Sequence, residues 1–227
     1  SVDSRLLTSN EKTKNLKQTP PLHYQIKTMD CVSHTWSKPN LKFIATDHHN
    51  GQRFTNLVKA QEKLGRWDLL KWIMSRKSQT WTGDFEAETK EFFATQKALP
   101  EERPLAPMSD WQIWYIGHAT VLIQIGPYNF LTDPVWAEHV SPKQGYGPKR
   151  VIPAGIALEQ LPQIHAVLLS HNHYDHMDLA SLTWLHNKFA MPIYTGLGNA
   201  VYLPSSFNVS ELDWWQSALF KDLKIVY

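Results

Sequence analysis

Four side chains able to ligate a metal, His171, His173, Asp175 and His176, fall within six consecutive residues. They directly follow the apolar run His165-Ala166-Val167-Leu168-Leu169. They precede Asp178 to Leu185, where leucines recur at helical intervals. The pattern predicts a strand, a turn carrying the cluster, then a helix. His171 and His173, two apart in extended backbone, point to the same side and can offer imidazole nitrogens to one ion. Asp175 and His176 come where the chain turns, so they face a different point, and a second ion is its natural occupant. Zinc suits such a nitrogen and carboxylate set, and iron or manganese would accept the same donors. Two ions sharing a water would lower its pKa by several units, toward neutrality, which is machinery for hydrolysis. The competing readings are histidines on a polar surface loop or a structural zinc knot. Structural sites normally close their shell with cysteines, and the single cysteine, Cys31, is remote in sequence.

The elements that must position this cluster are legible around it. Trp111 to Ile116 and Thr120 to Ile125 read as strands, with Gly117-His118 permitting a tight turn or bulge between them. His118 is then either a structural histidine beside a glycine or a residue supporting the metal ligands. Phe130-Leu131-Thr132-Asp133-Pro134 ends a third strand at a carboxylate, since proline stops ladder bonding. Asp133 at a strand tip either orients a metal-binding histidine or caps the loop backbone. The long loop from Trp136 to Pro153 contains Gly145, Gly147, Lys149 and Arg150. A basic loop near two metals suits phosphate recognition, although this tetrad is a weak signal.

Upstream, residues 1–50 are polar, carry Pro20, Pro21 and Pro39, and lack sustained periodicity. They read as an extended arm with little core of its own. From Asn56 to Met74, apolar residues at mostly helical spacing interleave with Lys59, Lys63, Arg66 and Lys71. This predicts a basic amphipathic helix, packed on its own domain, lining the entrance to an active site or resting on a membrane. Glu86 to Lys97 predicts a second, polar helix, and the three prolines between 100 and 107 predict a linker. The expected organisation is an arm over 1–50, a helical extension and linker over 51–109, and a catalytic α/β unit over 110–227.

Length and composition bound the rest. The 227 residues are 42% hydrophobic, enough to bury a real core. The net charge of +2 hides an asymmetry, +8 over residues 1–80 and −6 over 81–227. A basic front half attracts anionic phospholipid headgroups, docks on the acidic half, or is simply solvated. One cysteine forbids an intrachain disulfide and leaves the compartment open. No apolar run reaches the ~18 residues of a membrane span, so membrane contact would be peripheral. The ten tryptophans serve as core filler or meet other chains or a membrane boundary. Dispersed basic residues without a recognition motif argue against nucleic acid.

His-x-His-x-Asp-His after an apolar strand resembles the signature of the metallo-β-lactamase superfamily. Five blocks in order narrow the likeness: Trp114 to Ile123, Phe130 to Trp136, Gly147 to Arg150, Leu168 to His176, and Glu211 to Trp215. Together they resemble the N-acylphosphatidylethanolamine-hydrolysing phospholipase D family over roughly residues 110–227, with a fainter likeness from Arg53 to Asn56. The resemblance implies an αββα sandwich, of which this chain covers about the first half behind its helical extension. It implies His171 and His173 on one zinc, Asp175 and His176 on the other, and three further ligands from a C-terminal half. His118, His139 and His186 do not occupy those ligand positions. It also implies phospholipase D-type cleavage of an N-acylated phospholipid, with Asp175 as a catalytic residue as well as a ligand. Lys221 to Tyr227 reads as the start of an alternating strand, which suggests that the rest of the fold lies beyond it or on a completing chain. A lactonase or small phosphodiesterase shares the same metal loop. An incomplete fragment or interaction module, pairing through an open sheet edge as a homodimer or with a completing chain, is the alternative from another class.

Overall fold

Leu122, Leu131, Val167 and Ile193 stand opposite one another on four successive strands, so they form one apolar row across a sheet. Their neighbours Ile123, Phe130 and Ala166 form a second row. Because side chains alternate along a strand, the two rows face opposite sides. This is the organising feature of the computed structural model, which describes residues 43–57, 65–75, 87–88, 91, 99–141 and 145–227.

The strands are β1 (Trp111–Gly117), β2 (Thr120–Ile125), β3 (Tyr128–Thr132), β4 (Ala166–Leu169), β5 (Ile193–Gly196) and β6 (Val209–Leu212), hydrogen-bonded in that order. The first three run antiparallel, and β3 through β6 are mutually parallel. Helix α1 (Arg66–Ser75) precedes the sheet, and α2 (Leu179–Phe189) connects β4 to β5. A separate antiparallel hairpin, β7 (Ser217–Phe220) and β8 (Leu223–Val226), follows β6.

Each face has its own cover. Leu182 and Leu185 of α2 are fully buried in one cluster with Leu122, Leu131, Val167, Leu169 and Ile193. Each such leucine contributes roughly 1.5–3 kcal/mol of burial. On the other face, Ala218, Phe220, Leu223 and Ile225 of the hairpin pack against Phe130, Ala166, Tyr194 and Leu212. Every residue of β5 is buried, as expected of a central parallel strand covered on both sides. The result is a mixed α/β sheet between a helix and a hairpin, in accord with the α/β reading.

Upstream of the sheet, the proline-rich stretch after residue 99 is tied down by hydrogen bonds. Gln124 Nε2 donates to Glu101 O, the Gln163 amide donates to Glu102 Oε1, and Arg103 pairs with Asp110. Gln124 is wholly buried, and its remaining groups meet Trp114 Nε1 and Asn129 Oδ1, so its burial leaves no unpaired amide. Helix α1 lies almost wholly within the predicted amphipathic stretch, and none of its residues is buried. The part of that stretch from 58 to 64 and most of the second predicted helix lie outside the described residues, as do residues 1–42 of the arm. Within the remainder of the arm, His48 and His49 are buried.

Candidate metal centre

Parallel pairing of β3 with β4 sets Thr132 beside Leu168, so both strands end on the same edge. Asp133 leaves β3 there, its amide donating to Leu168 O at 3.1 Å, and Ser170 to Asp178 leave β4 beside it. The β1–β2 turn delivers His118 to the same edge. Asp133 and His118 both adopt positive φ, 34° and 51°, which aspartate and histidine tolerate better than most residues. In each case a side-chain bond across the site accompanies the unusual backbone.

Asp133 is the hub. Its Oδ1 accepts the Ser170 amide at 2.7 Å, and its Oδ2 accepts Ser170 Oγ and His176 Nδ1, each at 2.8 Å. A carboxylate at Nδ1 places the imidazole proton there and leaves the His176 Nε2 lone pair for an ion. Asp175 Oδ2 stands between two histidines, 2.9 Å from His118 Nε2 and 3.6 Å from His176 Nε2. Burial pushes the Asp175 pKa up, but its own backbone amide, His118 and His176 outweigh this and hold it below the usual range. The carboxylate is therefore anionic, as a ligand must be. His171 Nε2 lies 3.0 Å from His173 Nδ1, and its ring centroid is 4.1 Å from that of His176. Burial, then repulsion from His176 and His173, lowers the His171 pKa, which favours the neutral, ligating imidazole.

All six residues singled out in sequence thus gather on one edge. They form two adjacent loci, the His171–His173 pair and a trio of His118, Asp175 and His176 whose ligand atoms lie within 4.8 Å of one another. The trio puts His118 in direct contact with Asp175, a placement that spacing could not supply because they lie 57 positions apart. The donor set, imidazole nitrogens and an ionised carboxylate with a second carboxylate behind His176, fits a divalent metal.

Three supports were not visible in the sequence. Ser170, which bonds Asp133, also lies 2.8 Å from His171 Nδ1. Tyr227 donates its hydroxyl to Ser170 O at 2.5 Å, across ground left open because Gly196 has no side chain to meet the ring. Asp178 caps α2 by accepting from the Ala180 amide and also takes Ser181 Oγ and the amides of Trp136 and Ala137. That carboxylate fixes the end of the metal loop and the exit from β3 together. Beside the cluster a cavity of about 660 Å³ opens, bounded by Tyr115, Val135, Val140, Arg150, Val151 and Tyr174 among others.

Comparison with known proteins locates the likeness in this half of the chain. Residues 128–226 match a β-lactamase superfamily domain. An uncharacterized protein of Mycobacterium tuberculosis (strain H37Rv) is 39% identical over 117 residues, 50% of this chain and 31% of that protein. N-acyl-phosphatidylethanolamine-hydrolyzing phospholipase D 1 of Caenorhabditis elegans is 36% identical over 116 residues, 47% of this chain and 32% of that one. The chain thus spans about a third of the length of these curated relatives. Among solved structures, isothiocyanate hydrolase from Delia radicum gut bacteria aligns at 29% identity with a TM-score of 0.39, covering 48% of this chain and 44% of that one.

Proposed function

We propose, for a chain whose residues 128–226 match a β-lactamase superfamily domain, that it is the metal-binding part of a dizinc hydrolase of phosphodiesters, with N-acylphosphatidylethanolamine-type phospholipids as substrate. The observation that supports this best is the convergence of His118, Asp175 and His176 on one point, with Asp133 behind His176 and the His171–His173 pair alongside. In this reading His171 and His173 hold one zinc, and Asp175 and His176 the other. Bound zinc supplies Lewis acidity and a water acidified toward neutral pH. The chain's own residues do the positioning. Asp133 fixes which His176 nitrogen faces the ion, and His118 fixes the rotation of the Asp175 carboxylate through its 2.9 Å hydrogen bond.

The phospholipid assignment draws on the relative of Caenorhabditis elegans, whose name states that activity. The mostly apolar cavity beside the cluster is compatible with an acyl substrate. Contact with a membrane surface is part of this proposal. Among the described residues no helix is long and apolar enough to cross a membrane.

Asp175→Asn tests the reading. The variant should keep its circular dichroism spectrum and lose hydrolysis of N-acylphosphatidylethanolamine in mixed micelles; near-normal turnover would refute the role given to Asp175. Lactones and bis-p-nitrophenyl phosphate run in parallel would separate a lactonase or a small phosphodiesterase from a lipid enzyme.

A further inference from the structure

Two cations stand in the wall of the cavity, Lys149 and Arg150, and they are held in different ways. The Lys149 ammonium is exposed and lies 3.2 Å from Glu138 Oε1, a surface pair of little energy. Arg150 is fixed. Its Nη2 donates to Val135 O at 2.7 Å, its Nε to Ala137 O at 3.4 Å, and its amide to Glu138 O at 2.6 Å. Those carbonyls belong to the exit from β3, which Asp178 holds through the Trp136 and Ala137 amides.

The remaining corner of the guanidinium, Nη1, lies against the β1–β2 turn. A Cβ on Gly117 would stand 2.9 Å from it, so the missing side chain is what admits the guanidinium next to His118. Nη1 has no hydrogen-bond partner among the described residues, while Arg150, Gly117 and His118 all bound the same cavity. Burial pulls the Arg150 pKa down, and the charge of Asp178 opposes this first among the acidic groups. An arginine with two donors anchored on a fixed loop, in the wall of a cavity and with a third donor unengaged among the described residues, is a preorganised anion receptor, which loses little freedom on binding.

We propose that Arg150 is the residue by which this cavity recognises a singly charged phosphodiester, its Nη1 meeting a non-bridging oxygen, and that Lys149 takes no part. The inference rests on the hydrolase reading and deepens it by fixing the substrate class as anionic. A lactone or carboxylic ester carries no charge for Arg150 to meet.

Dibutyl phosphate, an anion, and tributyl phosphate, its neutral analogue, provide the test. Their binding to the purified protein would be measured by titration calorimetry for wild type, Arg150→Met, Arg150→Lys and Lys149→Met. The wild type should prefer the anion. Arg150→Met should weaken dibutyl phosphate by about tenfold or more, the range for a lost charge-assisted hydrogen bond, and leave tributyl phosphate within about twofold. Arg150→Lys, which keeps the charge but not the fork, should recover part of the preference, and Lys149→Met should leave it intact. Equal weakening of both ligands in Arg150→Met would show a loop-shaping role only and overturn the proposal. So would a wild type without anion preference, or a loss carried by Lys149→Met. Should Arg150→Met fail to fold, the lysine variant decides alone: an undiminished preference for the anion there overturns the role of the fork. Neither ligand needs to be cleaved, so anion preference without phospholipid hydrolysis would defeat the catalytic reading and leave this one standing.

Discussion

At the scale of single residues, Asp133 carries the most testable role because it contacts no candidate ion position itself. It accepts His176 Nδ1 and both donors of Ser170. Asp133→Ala should free the His176 ring and remove the link from β3 to the metal loop. Zinc affinity, measured by competition with a chromophoric chelator, should fall by roughly 10–100-fold, the usual cost of losing a carboxylate behind a ligating histidine. Asp133→Asn keeps one acceptor and should lose less; equal affinity in all three proteins would remove Asp133 from the site. The residues nearest in sequence were the most legible ones. His171, His173, Asp175 and His176 sit in one loop, so spacing alone exposed them. The Asp133 partnership had been one of two open readings, because a strand tip before proline serves a metal ligand or a backbone cap equally well. His118 and Ser170 acquire their partners only when β1, β3 and β4 end on one edge, and no local pattern encodes that. Arg150 was legible only as one member of a basic loop suited to phosphate; what sets it apart from Lys149 is the room that Gly117, 33 positions earlier in the chain, leaves for its guanidinium.

At the scale of elements, alternation was readable wherever a segment meets the core on one side. The extents of β1 and β2 and the end of β3 follow from it, whereas the Asp178 cap of α2 did not show until the fold was in place. Asp178→Ala should remove a cap worth about 1 kcal/mol and also leave the partly buried Ala137 amide and the Ser181 hydroxyl short of an acceptor, while the Trp136 amide keeps Ser181 Oγ. Urea denaturation should register a loss of about 2 kcal/mol or more, well beyond a surface substitution. The attachment of residues 43–57 was not readable, because it depends on a contact 165 positions away. His48 Nε2 bonds Asp213 Oδ1 at 2.8 Å, its Nδ1 bonds Asp47 at 2.5 Å, and its ring stacks on Trp214 at 4.5 Å. The bonds from Asp213 and then Asp47 raise the His48 pKa above 6.5. Burial pushes Asp213 up, but His48 and the Trp214 amide hold it below 3.8. A raised histidine adds stability that is complete below 6.5 and disappears as pH climbs through its folded value. A depressed aspartate adds stability that is complete above 3.8 and disappears as pH falls through its folded value. Thermal stability should therefore be highest between about pH 4 and 6.5 as far as this pair governs it, and His48→Gln should lower that maximum and flatten its alkaline shoulder. An unchanged melting profile across pH 4–9 would show that the contact does not contribute.

At the scale of the whole molecule, the distribution of apolar surface is uneven. The sheet is covered by α2 on one face and by the β7–β8 hairpin on the other, yet Trp111, Ile113 and Tyr115, alternate residues of β1, remain more than half exposed on one side of it. Helix α1 exposes Trp67 at 75% and Met74 at 79%, with Ile73 also open. The sequence showed that this stretch was amphipathic and basic, but amphipathicity cannot say whether a helix turns its apolar face to its own core or to something else. Its lack of any buried residue favours the second choice. An apolar helix face beside Arg66 and Lys71 has the character of an interfacial helix, where buried apolar area and attraction to anionic headgroups act together. The protein should then sediment with vesicles of phosphatidylethanolamine and phosphatidylglycerol, less so as salt rises. Trp67→Ser combined with Met74→Ser should reduce the bound fraction several-fold while leaving zinc affinity unchanged, since neither residue touches the metal edge. If the double variant sediments as the wild type does, the exposed face of α1 serves a protein surface rather than a lipid one, and Trp111, Ile113 and Tyr115 become the next residues to replace.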